Sequence, residues 1–387
     1  MKITIVQGGA YPVPPVRGGA IEKVWFSLGK EFAKRGQEVT HISRKFPGLP
    51  DDQWLDGVHH VRVQGFEFSS KRFGVLWRDL GYVRRVLRVL PAADILVTNT
   101  PLLPLFIRDS RFGALYVHVG RYPKWQTRFY RHASRIQTVS RPVAEALIRQ
   151  DRAAAGKVCV IPYPLPGPVS ALDVPATWPQ RRKEVLYVGR VHPEKGVHLL
   201  IDAFKLLIES GVSDWRLIVV GPWATAQGGG GTEYYESLRS RSAPIASQVE
   251  LAGPIFDADA LAACYLRAKL FVYPSLAEHG ESFGLAPLEA MAHGCPPLVS
   301  NLACFRDFIE DQRSGYVFEH RADCPAEELY RALKSVVSGD GELMSIAVRS
   351  HEAARHYDPE RVAEMYLEDF AAVRVQVDAG ATASRPD

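Results

Sequence analysis

Two carboxylates stand with seven residues between them in Glu281-Ser-Phe-Gly-Leu-Ala-Pro-Leu-Glu289-Ala-Met-Ala-His-Gly294, directly after the apolar run KLFVYPS (269–275). Pro287 falls where a first helical turn tolerates proline and Gly294 where a helix ends. The stretch therefore reads as strand, loop and a short helix near 286–293. The N–H groups of Gly284, Leu285 and Ala286 would open that helix unpaired and offer a seat for phosphate. Glu289, read in the first helical turn, can take both hydroxyls of a vicinal diol such as ribose, and Glu281 can reach a neighbouring sugar. The plainer reading leaves Glu289 complementing the helix dipole and Glu281 solvated. A second group is Val188-Gly189-Arg190-Val-His-Pro-Glu194-Lys195-Gly196. Arg190 can fork onto phosphate oxygens and Lys195 adds a point charge just before a helix, so the two could stabilise a leaving diphosphate. A third, Gly18-Gly19, permits close backbone approach to a substrate where the first helix begins. His118, near the end of GALYVHVG (113–120), is as readily structural as functional. The glycines match neither G-x-G-x-x-G nor a P-loop, so neither NAD binding nor ATP hydrolysis is signalled.

These residues need elements to hold them. KITIVQ (2–7), a Gly/Pro-rich loop (8–19), a helix over about 20–35 and QEVTHIS (37–43) give a strand, loop, helix, strand order. Such apolar strands joined by crossover helices predict a parallel sheet. The order continues through VHHVRVQG, ADILVTNT, GALYVHVG, RIQTVS and VCVIP, and restarts at EVLYVG (184–189). Residues 162–180 hold six prolines and are read as a linker without helix or central strand. The Gly228–Gly231 run reads as a flexible insertion. The organisation expected is a first α/β domain (1–163), a Pro-rich linker (164–182), a second α/β domain (183–356), a closing helix (357–375) and a flexible tail (376–387).

With 387 residues, 47% hydrophobic and 23% charged, the chain has material for two cores, which excludes a disulfide scaffold and global disorder. Five scattered cysteines without a C-x-x-C suit a reducing compartment and exclude a zinc ribbon. No stretch is long and apolar enough for a membrane span and no signal peptide is evident, so a cytoplasmic protein is expected, at most peripheral to a membrane. Charge is uneven: residues 1–180 carry 26 Lys and Arg against 13 Asp and Glu, whereas residues 181–387 carry 21 against 30. The densest basic segment, 71–90, is an amphipathic helix with Phe73, Leu76, Trp77, Leu80, Val83, Leu87 and Leu90 as its apolar stripe. Packing on a sheet with solvated arginines is the favoured reading, and contact with an anionic membrane or an acidic acceptor the sharper one. The basic and aromatic run 121–131 lacks any nucleic-acid motif, and no nucleic-acid partner is expected.

The chain resembles the retaining glycosyltransferases of family 4, over about residues 1–373. The resemblance rests on E-x-F-G-x-x-x-x-E-A-x-A-x-G at Glu281–Gly294, V-G-R-x-x-x-x-K-G at 188–196, Gly18-Gly19, and Thr138-Val-Ser140 before a helix. It implies the GT-B fold, two Rossmann-like, doubly wound parallel-sheet domains facing a cleft. The donor implied is a nucleotide diphosphate sugar and the acceptor a hydroxyl on a glycan, lipid-linked or small molecule, with no metal and no other cofactor. By the same resemblance Arg190 and Lys195 hold the diphosphate, while the amides after Phe283, at Gly284 and Leu285, contact it or the donor sugar. Glu289 binds the ribose, Glu281 the donor sugar hydroxyls, Gly18 and Gly19 the phosphate side, and His118 the sugar near its reacting face. Gly253 and Ile255 lie near the base. A front-face mechanism is implied, in which the leaving phosphate accepts the acceptor's proton. Departures are Ile161-Pro162-Tyr163-Pro164, where the family often has Ile-Pro-Asn-Gly, and Ser282, where Gly or Pro is common. Loops 8–19, 44–56 and 119–128 are expected to select the acceptor. A nucleotide-sugar epimerase, a phosphorylase of similar fold and a non-catalytic nucleotide-sugar binder are the rival readings.

Overall fold

The computed structural model describes residues 1–17, 19–67 and 72–383. Gly18, Lys71 and residues 384–387 of the expected tail lie outside the described residues. The chain divides into two compact units, one of Met1–Pro168 with the stretch from Tyr357 onward, the other of Val169–His356.

The first unit carries β1 (Lys2–Val6), β2 (Glu38–Arg44), β3 (Asp52–Leu55), β4 (Val58–Val63), β5 (Ile95–Thr98), β6 (Ala114–Val119), β7 (Arg135–Thr138) and β8 (Val158–Val160), in spatial order β3-β4-β2-β1-β5-β6-β7-β8. All neighbours pair parallel except β3 with β4. Its crossover helices include α1 (Ala20–Lys34), α2 (Arg72–Val89) and α3 (Arg141–Gln150). Val6, Ile42 and Leu96 on one sheet face share a buried core with Tyr82, Val83 and Val86 of α2. Gly29 of α1 lies over Ile5, Val39 and Val58 on the other face. The strand order reverses at β1 and β5, the place where sheets of this kind leave a crevice at their carboxyl ends.

The second unit carries α4 (Val174–Thr177), β9 (Arg182–Val188), β10 (Arg216–Val220), β11 (Val249–Gly253), β12 (Ala268–Tyr273), β13 (Pro297–Ser300) and β14 (Tyr316–Phe318). These six strands form one parallel sheet in the order β11-β10-β9-β12-β13-β14, which reverses at β9 and β12. Around it run α5 (Val197–Glu209), α6 (Gly231–Ser242), α7 (Ala258–Arg267), α8 (Leu285–Ala292), α9 (Pro325–Val337) and α10 (Asp340–Ala354).

The architecture is the α/β class expected, with four local corrections. Within the loop expected at 44–56, Asp52–Leu55 is a strand. Asp56 (φ 52°) and Gly57 (φ 77°) supply the two left-handed residues of a tight hairpin turn. Within the Pro-rich linker, Val174–Thr177 is helical, because Asp173 accepts from the Ala176 N–H at 3.1 Å and Pro175 sits in the first turn, where no N–H is needed. The last helix runs from Pro359 to Ala383, past the expected start of the tail, since extending an existing helix costs far less than starting one. Trp77 of α2, assigned to the packed stripe, is 75% exposed; it shares the outer face with the exposed Arg84 and Arg88, seven and eleven residues on. The last helix packs on the first unit. Its buried Tyr366 and Phe370 meet Trp25, Phe32 and Tyr116, and Asp369 accepts from Tyr116 OH at 2.8 Å and pairs with Arg135 at 2.7 Å.

Candidate functional site

In the second unit the carboxyl ends of β9 and β12 lie side by side and deliver the two sequence motifs to one place. After β9 the chain turns through Arg190 and the 3₁₀ turn Pro193–Lys195 to Gly196, the N-cap of α5. After β12 it turns through Ser275 and Glu281 to Gly284, the N-cap of α8. The two turns are joined. Leu276 N donates to Glu194 O at 2.8 Å. A Cβ at Gly196 (φ 70°) would strike the Pro274 carbonyl, so only glycine allows this approach.

At the centre of the joint, Lys195 Nζ donates to Glu281 Oε2 at 2.6 Å, and both side chains are largely buried, at 6% and 13% exposure. Tyr273 OH adds a donor to the same oxygen at 3.2 Å and Ser275 Oγ a long one at 3.5 Å. Burial, reinforced by Glu281, holds the Tyr273 phenol well above its ordinary value, so it stays protonated and donates. Arg190 is more open. It donates to Gly228 O at 2.8 Å and pairs with Glu194 at 2.7 Å. The Gly228–Gly231 stretch is not a flexible insertion but is bonded onto this turn, with Gly230 N donating to Val191 O at 2.9 Å. Gly284, at φ 101°, has Phe305 Cε1 2.5 Å from where a Cβ would be, which fixes how α8 starts. The opening N–H groups of α8, at Leu285 and Ala286, follow directly on the turn whose Glu281 pairs with Lys195.

Residues 171–353 match the family profile described as Glycosyl transferases group 1, and residues 18–165 match Glycosyltransferase Family 4. Over 389 residues the chain is 30% identical to lipopolysaccharide 1,2-N-acetylglucosaminetransferase of Salmonella typhimurium, covering 95% of this chain and 98% of that one. The chain belongs to the family 4-type GT-B glycosyltransferases. Solved structures agree on the fold of this glycosyltransferase. Sucrose-phosphate synthase from Thermosynechococcus elongatus superposes with a TM-score of 0.76 at 20% identity, over 96% of this chain and 99% of that one. Anabaena HepE in complex with UDP and glucose does so at 0.68 and 18% identity, over 96% and 100%.

The remaining expected site residues of the glycosyltransferase are dispersed. Glu289 lies in the second turn of α8, not the first, because the helix already begins at Leu285; it accepts from Tyr265 OH at 3.2 Å. Phe283 is buried at 2% and packs on Phe308, so what it offers a ligand is main chain. Gly253 ends the edge strand β11 and its carbonyl accepts from Gly221 N at 2.8 Å, with Ile255 half-buried beyond it. Asp257 and Asp259 have an Asp-x-Asp spacing, but Asp257 caps α7 by accepting from Ala260 N at 2.8 Å. In the first unit Gly19 is the N-cap of α1, at φ 101°, against the Glu22 carboxylate. His118 is 3% exposed; its Nδ1 lies 2.6 Å from Gln137 Oε1 and its ring packs edge-on to Trp25. Burial drops its pKa to about 4, so it is neutral at physiological pH. Tyr273 and Ser275, at and just past the end of β12, and Glu194, in the turn after β9, carry no sequence signal for the bracing they provide.

Proposed function

We propose that this glycosyltransferase transfers a sugar, with retention and without a metal, from a nucleotide diphosphate sugar to a hydroxyl acceptor. The observation that carries the reading is the Lys195–Glu281 pair, which ties the turn that holds Arg190 to the turn that leads into α8. The donor diphosphate would take Lys195, Arg190 and the α8 amides, which disperse the charge that grows as the glycosidic bond breaks. Glu289 would hold the ribose diol. Glu281 Oε2 is engaged by Lys195 and two hydroxyls, which suits orienting the cation and a sugar hydroxyl and ill suits proton abstraction. That favours the leaving phosphate oxygen as the group that takes the acceptor's proton, on the face it leaves from, which gives retention. HepE in complex with UDP and glucose supports a nucleotide sugar as donor. On this reading the protein works in the cytoplasm, and α2 offers an anionic membrane Trp77 and two outward arginines. Among the described residues no helix is long and apolar enough to cross a membrane.

The test is a thermal-shift screen of UDP-, GDP-, ADP- and dTDP-sugars with and without EDTA. A shift from one nucleotide class that survives EDTA and disappears in Lys195→Met is expected; no shift from any class would overturn the reading.

A further inference from the structure

In the first unit the strand order reverses at β1 and β5, the position at which sheets of this kind take a ligand beyond the carboxyl ends of their strands. The residues that follow these strands, Gln7 and Asn99, stand side by side, since Val6 and Thr98 are register partners. Asn99 Nδ2 donates to Gln7 Oε1 at 2.9 Å. That single bond leaves Gln7 Nε2 and Asn99 Oδ1 without a partner among the described residues, although Gln7 is only 1% exposed. A buried amide with half its capacity unused is costly unless something completes it. Exchanging N for O in both amides preserves their mutual bond and again leaves one donor and one acceptor, so the inventory does not depend on the assignment. Beside the pair, Gly8 is half-buried, and a Cβ built there would meet nothing nearer than Asn99 Oδ1, at 3.8 Å. Both free atoms are closed to solvent, and the room nearest to them lies beside Gly8, 3.8 Å from Asn99 Oδ1.

We propose that Gln7 and Asn99 form a subsite that recognises a hydroxyl of a neutral polyol or sugar ring on the acceptor. This rests on the glycosyltransferase reading given above. A hydroxyl is donor and acceptor at once and satisfies both free atoms, Nε2 donating to it and Oδ1 accepting from it. A phosphate or carboxylate would set its lone pairs against Oδ1, and an ammonium would set its protons against Nε2. The amide pair thus selects the neutral hydroxyl over either ion.

The 387-residue chain is titrated with myo-inositol and with the methyl α-glycosides of glucose, galactose and mannose. Each titration is run with and without UDP, GDP, ADP or dTDP, whose own binding is recorded separately. Wild type is expected to bind at least one polyol. Asn99→Leu should weaken that binding by about tenfold or more, the usual consequence of removing one partner of a desolvated hydrogen bond. Gly8→Ala, whose methyl meets no protein atom closely, should weaken it while the fold and nucleotide binding stay intact. Polyol binding unchanged in both variants, no polyol binding by wild type, or displacement of the polyol by inorganic phosphate would each overturn the subsite. Absence of nucleotide binding would instead count against the proposed function.

Discussion

Replacing Lys195 by Met removes the cation from a nearly closed ion pair and leaves Glu281 to the hydroxyls of Tyr273 and Ser275 among the described residues. Removing one partner of a buried pair typically costs 3–5 kcal/mol, because the remaining charge is buried uncompensated. Glu281 keeps two neutral donors and 13% exposure, so the lower end applies, about 3 kcal/mol. For a unit the size of Val169–His356 each kcal/mol moves the melting temperature by roughly 2–4 °C, which gives a drop of about 6–12 °C. In the double variant Lys195→Met/Glu281→Leu both charges are gone, and most of that loss should return, as is common when a buried pair becomes apolar. Donor binding should stay lost in both proteins. Urea denaturation and calorimetry of wild type, both single variants and the double variant close the cycle. If Lys195→Met costs under about 0.5 kcal/mol, the pair behaves as a solvent-screened one. If the double variant is as unstable as Lys195→Met alone, uncompensated charge is not the cause of the loss.

Gly284→Ala puts a methyl at φ 101° against Phe305 and should cost about 2 kcal/mol or more while abolishing donor binding, measured by urea midpoint and thermal shift. Burial pushes the Asp79 carboxyl up to about 6 from 3.8, so the fold disfavours its ionised form. The associated stability is fully present below pH 3.8 and is lost as pH rises through 6. Asp79→Asn, which still accepts from the Leu102 N–H, should therefore stabilise the protein by about 2–3 kcal/mol at pH 8 and by little near pH 4, measured by melting at both pH values. His118 has the opposite sign. Its folded pKa of about 4 means stability that is present above pH 6.5 and lost as pH falls toward 4, and His118→Gln should flatten that acid limb. Trp77→Ala should weaken co-sedimentation with phosphatidylglycerol vesicles several-fold with no change in melting temperature; equal sedimentation would remove α2 as the membrane contact.

What the sequence made legible follows from how local each signal is. Strands such as Ile95–Thr98 and Ala268–Tyr273 are buried along their whole length and announce themselves as apolar runs. Loop, cap and helix at Glu281–Gly294 are coded within fourteen consecutive residues, so their order was readable. The Lys195–Glu281 contact was not, because it joins residues 86 apart and depends on β9 and β12 being neighbours in space. Each residue could be assigned to a ligand, but not to the other. Trp77 shows the limit of helical spacing, since the stripe that includes it spans about 140° of the helix, and only packing decides which edge is covered. Likewise Val362, Tyr366, Phe370 and Val373 mark an apolar face on the last helix without saying which unit buries it. The Asp56-Gly57 turn, by contrast, is a hairpin signal local enough to stand in the sequence itself.

The return of the last helix to the first unit bears on how the protein is born. Val169–His356 is contiguous, so a ribosome releases everything its sheet needs before Tyr357 has been made. The first unit must wait. Until Tyr366 and Phe370 arrive, Trp25, Phe32 and Tyr116 lack the aromatic partners that cover them, and Arg135 lacks Asp369. The second unit to appear can thus be the first to finish. A nascent chain stalled before the last helix would hold a completed second unit tethered to an unfinished first one, the species a chaperone would be expected to recognise.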